Sequence, residues 1–429
     1  MVLDKQLKTA IDAPITFAKA GGVGQAILGL IHALGQLDDG DESYTIIVES
    51  GETKDWLRPF AGPNQEFVIK PHSATRRLRT LAKRGFGPVL PVVRRLRHPT
   101  TPPISDGFYE SLACHVLHFP HQKFVHTQMP TIYNPHDLLH VHYPQFLSKN
   151  DIAWRETVYA DACRSAQTVV VASQWVKDDC VQHFRLDPRQ VQVIPWGAPT
   201  QAYPKPTDAA MRSAAMQYHL PQPFALYPAM TWPHKNHLKL LEALACLRNR
   251  RGLTVRLVCT GTVYEPFWPK IKSRLRKLNL SPQVTFLGFV PEEDLRAVYH
   301  LAQFLVVPTL FESDSFPIYE AWLEDVPVAC SDVTSLPDQV GDAALLFNPD
   351  EVSSIADAVH KIATQEQLRG ELRERGRKRL KGFDWQRTAK AYRAVYRRAA
   401  GYTLTEEDHW LLNWDWMRQP SEHAEAQNR

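Results

Sequence analysis

Two glutamates, Glu312 and Glu320, stand with seven residues between them in the run Val306-Val-Pro-Thr-Leu-Phe-Glu-Ser-Asp-Ser-Phe-Pro-Ile-Tyr-Glu-Ala-Trp. An ionised carboxylate only accepts hydrogen bonds, and vicinal sugar hydroxyls are paired donors, so two carboxylates in one short segment suit a ribose and a hexose. The apolar residues ahead of them read as a strand. Ser315 then reads as the N-cap of a helix that tolerates Pro317 in its first turn. Backbone N–H groups at such a helix start are suited to phosphate oxygens. Glutamate is common, so the pair gains meaning only from the elements around it.

Those elements alternate. Apolar runs recur at Phe224-Ala-Leu-Tyr, Val255-Arg-Leu-Val-Cys, Val284-Thr-Phe-Leu, Phe304-Leu-Val-Val, Val326-Pro-Val-Ala-Cys and Ala344-Leu-Leu-Phe, with helical stretches such as Leu238 to Asn249 between them. Strand and helix in turn imply right-handed crossovers and a parallel sheet, and runs apolar throughout are strands covered on both faces. The first half is similar in kind, with strands expected at Tyr44-Thr-Ile-Ile-Val, Thr131-Ile-Tyr, Thr168-Val-Val-Val-Ala and Val191-Gln-Val-Ile. The chain has 429 residues; single cores stop growing near about 250–300 residues, so two domains are expected. The reading is α/β: two Rossmann-like doubly wound domains facing across a cleft, over 1–199 and 200–383, with 384–429 a helical segment returning to the first. The polar, Pro-containing stretch from Trp196 to Pro223 reads as the linker. Ligands of such sheets bind beyond the carboxyl ends of the strands, which places the Glu312 loop at a cleft.

In this frame the segment resembles the retaining glycosyltransferases of the GT-B fold, the family 4-like group that shares the E-x7-E pattern. The family's fuller form resembles E-G-F-G-L-P-V-L-E-A-M, where this chain reads E-S-D-S-F-P-I-Y-E-A-W. The flanks agree too, in Val284-Thr-Phe-Leu-Gly-Phe-Val-Pro-Glu-Glu-Asp-Leu before it and Leu336-Pro-Asp-Gln-Val-Gly-Asp-Ala-Ala-Leu-Leu-Phe after it. Upstream, Tyr227-Pro-Ala-Met-Thr-Trp-Pro-His-Lys-Asn-His resembles the family's G-R-x-x-x-x-K loop. The resemblance implies transfer of a sugar from a UDP- or GDP-sugar to a glycan or lipid-linked acceptor, with retention and with no metal or other cofactor. It assigns Glu312 to the donor sugar, Glu320 to the ribose, the amides near Ser315 and Phe316 to the diphosphate and Lys235 to the departing phosphate. A fixed cation there lowers the barrier as negative charge develops. The family's arginine aligns with Met230, so Thr231, His234 or a residue of the first half would take over its contact.

In the first half, Gly21-Gly-Val-Gly precedes a helical run and resembles the glycine-rich loop near the donor phosphates, which makes Gly22 a donor-binding candidate; glycines also serve ordinary tight turns. Cys114 to Phe146 holds histidines at 115, 118, 121, 126, 136, 140 and 142. Apart from Asp137 nothing there completes a ligand set, so no metal is expected and most of these rings are read as satisfying backbone groups. His136, in Thr131-Ile-Tyr-Asn-Pro-His-Asp-Leu, lies just past a strand end. It resembles a first-domain feature of the family that contacts donor sugar or acceptor; a core histidine is the alternative.

Six cysteines lie scattered without paired spacing, some in strand-like runs, which fits free thiols in a reducing cytosol. The start lacks the apolar stretch of a secretion signal, and no run is long enough to span a membrane. The net charge is only +4. Between Glu66 and Asp106, however, nine cations (Lys70, Arg76, Arg77, Arg79, Lys83, Arg84, Arg94, Arg95, Arg97) occur with no acid. Beside Phe86, Val89, Leu90, Val92 and Val93 this suits docking of residues 70–97 on an anionic membrane surface, peripheral on its cytoplasmic face; a solvated face is the plain alternative. No basic-aromatic motif supports a nucleic-acid partner. The rival functions are a sugar epimerase or inverting transferase of the same fold, and a catalytically silent nucleotide-sugar-binding protein.

Overall fold

The structure is a computed structural model, and it describes residues 6–15, 21–71 and 101–416. Eight of the nine cations of the basic stretch, all but Lys70, lie outside the described residues. The chain forms two compact units, Met1–Val171 with Val176–Ile194 and Gln386–Trp414, and Ala172–Trp175 with Pro195–Trp385 and Asp415–Arg429.

The first unit is built on strands β1 (Lys8–Asp12), β2 (Ser43–Val48), β3 (Gln65–Ile69), β4 (Val116–Phe119), β5 (Thr131–Tyr133), β6 (Thr168–Val171) and β7 (Val191–Val193). They lie in the order β3-β2-β1-β4-β5-β6-β7, all parallel. The four expected strands are present. Three others, β1, β3 and β4, escape a reading by apolar runs. β1 opens on Lys8 and closes on Asp12, β3 is an edge strand with exposed positions, and β4 carries His118 in its fully buried interior.

His118 shows why an imidazole can sit in a strand. Its Nδ1 lies 2.8 Å from the Tyr396 hydroxyl and its Nε2 2.6 Å from Asn134 Oδ1, while Asn134 Nδ2 donates to Val170 O and to the Tyr392 hydroxyl. Asn134 Oδ1 can only accept, so Nε2 carries the proton, Nδ1 accepts from Tyr396 and the ring is neutral. Burial agrees, pushing the His118 pKa down to about 3. Tyr392 and Tyr396 belong to the helix Trp385–Ala399, which this network fastens to β4 and β5. The same helix brings the buried Arg393 to Asp39 and Arg397 to Glu42 at 2.5 Å, and Arg397 also meets Asp408 at 2.9 Å.

The second unit holds β8 (Ala225–Pro228), β9 (Leu257–Thr260), β10 (Val284–Phe286), β11 (Phe304–Val307), β12 (Val328–Ser331) and β13 (Ala344–Phe347), in the parallel order β10-β9-β8-β11-β12-β13. Every expected apolar run is a strand, and β8, β9, β11 and β12 are buried almost throughout. The stretch read as a linker is more than that. Thr207 caps a helix Asp208–Gln217 inside it, and the Tyr218 hydroxyl that follows donates to Asp294 at 2.6 Å. Its polar surface hid it: only Ala214 of that helix is buried.

Candidate active site

In the second sheet the order reverses between β8 and β11, and at such a switch point the loops part and leave room for a ligand. Lys235 leaves the loop after β8 and Glu312 the loop after β11; Lys235 Nζ lies 2.5 Å from Glu312 Oε1. Several local bonds aim them. Lys235 closes a short 3-10 turn, its N–H donating to Trp232 O at 3.0 Å and its carbonyl accepting from the Tyr227 hydroxyl at 2.7 Å. Asn236 follows at φ +56°, a left-handed conformation that asparagine tolerates, and its Nδ2 reaches Pro308 O at 3.0 Å and Pro349 O at 2.9 Å. The His234 carbonyl accepts from Leu310 N at 2.8 Å and Thr309 Oγ1 at 3.2 Å. Glu312 donates its N–H to Thr334 Oγ1 at 3.1 Å, and its carbonyl accepts from Thr334 Oγ1 and Ser335 Oγ at 2.6 and 3.0 Å.

The helix Phe316–Leu323 starts as expected, with Ser315 at its N-cap position, but not with the expected donors. Ser315 makes no side-chain cap bond, and its N–H is already given to Gln339 Oε1 at 3.0 Å. Pro317 has no N–H and Ile318 bonds Ser315 O, which leaves Phe316 N–H as the amide of this turn without a partner among the described residues. In this structure the Ser315 amide clamps the loop to Gln339. Thr231 is buried, and its hydroxyl accepts from Tyr264 N at 2.7 Å. Glu320 is buried and accepts from the Tyr299 hydroxyl at 2.6 Å. Burial raises its carboxyl above the usual range, and burial followed by the charge of Glu320 raises Glu292 as well.

The first sheet has its own switch point, between β1 and β4. There a pocket of about 330 Å³ is lined by Pro14, Ile15, Gly21 to Gly24, Ile27, His121, Gln122 and Lys123. Gly21 is the N-cap of the helix Gly22–Gly35 and Gln25 N closes its first turn on Gly21 O, so the positive end of the helix, Gly22 included, borders the pocket. Lys123 N–H donates to His121 Nδ1 at 3.1 Å, which leaves Nε2 to carry the proton toward Asp12 Oδ2, 3.5 Å away. Burial opposes ionisation of Asp12, but His121, Lys70 and the Tyr109 hydroxyl hold its carboxyl below the usual range. His136 lies past β5 at φ +68°, with Nε2 3.1 Å from Pro120 O. Burial lowers its pKa to about 4, so it is a neutral imidazole at pH 7.

Comparison with known proteins agrees with this architecture. Residues 217–379 match the family model of glycosyl transferases group 1, and residues 20–202 match that of glycosyltransferase family 4. O-antigen chain mannosyltransferase B of Escherichia coli is 26% identical over 316 residues, which is 72% of this chain and 81% of that protein. Serotype-specific mannosyltransferase WbdA of Escherichia coli is 31% identical over 180 residues, 42% of this chain and 22% of that protein. Anabaena HepE, solved in complex with UDP and glucose, superposes with a TM-score of 0.68 over 92% of this chain and 100% of that one, at 16% identity. The chain belongs to the GT-B glycosyltransferases.

In this transferase the structure brings Lys235, Glu312, Phe316 and Glu320 into one unit around one switch point, whereas Gly22 and His136 belong to the other unit. The seven histidines of this stretch divide: His115, His121 and His136 meet backbone groups, His118, His126 and His142 meet side chains, and His140 lies 3.6 Å from Glu156. No group of three metal-ligating side chains occurs among the described residues. Sequence reasoning passed over Asn236, Thr334 and Gln339, which position the transferase's loops, and His121 and Lys123, which line its first-unit pocket. Asn236 carried a signal, an asparagine directly after Lys235 and before a helix. His121 carried none that separated it from its neighbours.

Proposed function

We propose that this transferase moves a mannosyl group, with retention, from a nucleotide-activated donor to a growing glycan. The relatives named above as mannosyltransferases support the sugar and the glycan acceptor. The observation that carries the reading is the Lys235–Glu312 pair at 2.5 Å, on loops tied together at a switch point. In this reading the donor diphosphate draws Lys235 from Glu312 and takes its charge together with the Phe316 amide, and Glu312 is left to position the hexose. The C1–O bond to phosphate breaks while the acceptor oxygen bonds C1 on the same face. The departing phosphate accepts the acceptor's proton, so no side chain acts as a strong base and no metal or cofactor is called for. Glu320 holds the ribose; Gly22 and His136 serve the donor phosphates and the donor sugar or acceptor.

The test is incubation with GDP-mannose and with UDP-sugars against oligosaccharide acceptors, with the anomer of the product read by NMR. An inverted product would overturn retention. Nucleotide-sugar binding without turnover would favour the silent-binding reading, to which Met230 in place of the family's arginine lends its weight.

A lipid-linked acceptor and docking on an anionic membrane through residues 70–97 extend the proposal. No helix among the described residues is long and apolar enough to cross a membrane. Sedimentation with liposomes should require anionic lipid, weaken with salt and vanish when Arg76, Arg77, Arg79, Arg94 and Arg95 become glutamate; equal pelleting with neutral vesicles would refute it.

A further inference from the structure

The loop that carries Lys235 is short and stiff. Trp232 stands at φ −66°, ψ 147°, the extended backbone that a following proline favours, and Pro233–Lys235 is one 3-10 turn closed by Lys235 N–H on Trp232 O at 3.0 Å. Such a turn moves as one piece, so the fastening of its two ends decides where the Lys235 backbone sits. The C-terminal end is fastened by Asn236 to Pro308 and Pro349. The N-terminal end is fastened to the loop after β9. Ala229 N–H donates to Thr260 O at 3.0 Å, Thr231 N–H to Thr262 O at 3.4 Å and Tyr264 N–H to Thr231 Oγ1 at 2.7 Å. Gly261 makes this close approach possible: at φ +106°, a Cβ there would fall 2.8 Å from the Ala229 carbonyl carbon. Above this seam the rings of Trp232 and Tyr264 stack, with centroids 3.9 Å apart and planes 21° from parallel, and both residues are half-buried.

We propose that Trp232 and Tyr264 form a positioning pair for glycosyl transfer: their stack fastens the N-terminal end of the turn and so holds the Lys235 ammonium on the second phosphate of the nucleoside diphosphate. The inference rests on Lys235 being the cation of the donor diphosphate. With Met230 where the family's form has arginine, Lys235 is the only lysine or arginine between Tyr227 and Asn236, so the placement of this one charge matters the more. An ammonium on a flexible four-carbon stem is a point charge, and its reach to a phosphate oxygen is set by the backbone that carries it. Tyr264 contributes its ring face and its N–H, and its hydroxyl bonds no group among the described residues. The ring, not the phenol, is therefore what the turn leans on. Neither residue needs to touch the donor to act.

Calorimetric titration of the full-length chain with GDP, GMP, UDP and UMP tests this, because the diphosphates offer the phosphate that Lys235 would meet and the monophosphates do not. For a base that binds, the wild type should prefer the diphosphate, and Lys235→Ala should abolish most of that preference. Tyr264→Leu stays apolar but loses the ring; it should lower the preference about fivefold, with monophosphate affinity and Tm near those of the wild type. Trp232→Leu removes the other ring and should repeat the loss, which keeps the test intact if one variant folds poorly. Tyr264→Phe keeps the stack and should keep the wild-type preference. In the Lys235→Ala background Tyr264→Leu should change the preference no further, since a residue that acts through Lys235 has nothing left to position. Equal losses of mono- and diphosphate affinity in Tyr264→Leu would make the pair a seat for the nucleoside and overturn the positioning role. An unchanged preference in Tyr264→Leu, or a further loss in the Lys235→Ala background, overturns it as well. A wild type that binds none of the four nucleotides, or a Lys235→Ala variant with the wild-type preference, overturns the reading of Lys235 and takes this role with it.

Discussion

The two sheets share a strand order and reverse it at corresponding places, yet the two switch points are furnished differently. At β8/β11 the polar groups are side chains: the Lys235–Glu312 pair and the buried Glu320. At β1/β4 they are mostly backbone and neutral or compensated groups: the first turn of the helix at Gly22, an imidazole whose Nδ1 is engaged, and Asp12 between His121 and Tyr109. A side-chain cation can follow charge that develops during a reaction, whereas helix-end amides offer a fixed, weaker positive potential. One fold thus supplies a site suited to a changing charge and another suited to a constant one.

The sharpest way to break this comparison is Lys235→Ala. It should lower kcat by roughly 10²–10³-fold, about 3–4 kcal/mol, with a smaller effect on donor KM in steady-state kinetics. If Lys123→Ala were the severe variant and Lys235→Ala the mild one, the roles of the two switch points would be reversed.

The first unit answers to a different change. Gly22→Asp sets a negative charge at the helix start beside the pocket and should weaken donor binding by about tenfold in calorimetric titration, while Gly22→Ala should be nearly neutral. Equal affinities in both variants would place the donor's charge elsewhere. His136→Asn keeps a residue that accepts the left-handed backbone and removes the imidazole. It should cut turnover by roughly tenfold with little change in Tm, the scale of one lost hydrogen bond to donor or acceptor. A large loss of Tm with activity per folded molecule intact would make His136 a core residue.

The smallest expected effect concerns pH at Glu320. Its carboxyl is raised by burial, and only an ionised carboxylate could accept from both hydroxyls of a ribose there. Donor KM should therefore fall a few-fold as pH rises from about 6 to 8.5, and Glu292→Gln, which removes the competing acid, should flatten that dependence. A donor KM independent of pH in the wild type would argue against a ribose contact at Glu320.

Legibility followed burial. The strands of the second unit are apolar on both faces and could be read one by one, whereas β1, β3 and β4 hide their roles behind Lys8, exposed edge positions and a histidine satisfied from 278 residues away. The helix Asp208–Gln217 was overlooked because it buries so little. At the site, Glu312, Glu320 and Lys235 were visible as residue types in an ordered motif. The engagement of the Ser315 amide by Gln339 and of the Thr231 hydroxyl by Tyr264 was not, because each partner comes from a separate element.

What the sequence by itself determined is the alternation of strand and helix, the parallel sheets that alternation implies, and the carboxylates and lysine placed just beyond strand ends. Those features depend on neighbours a few residues apart, and side-chain periodicity encodes them directly. Only the tertiary structure decided that Lys235 meets Glu312 across 77 residues, and that Asn236 ties the Lys235 loop to the Glu312 loop at Pro308 and to the loop after β13 at Pro349. Such contacts depend on strand order and loop path, and an atom's charge state depends on what is packed around it, which no local pattern of residues contains.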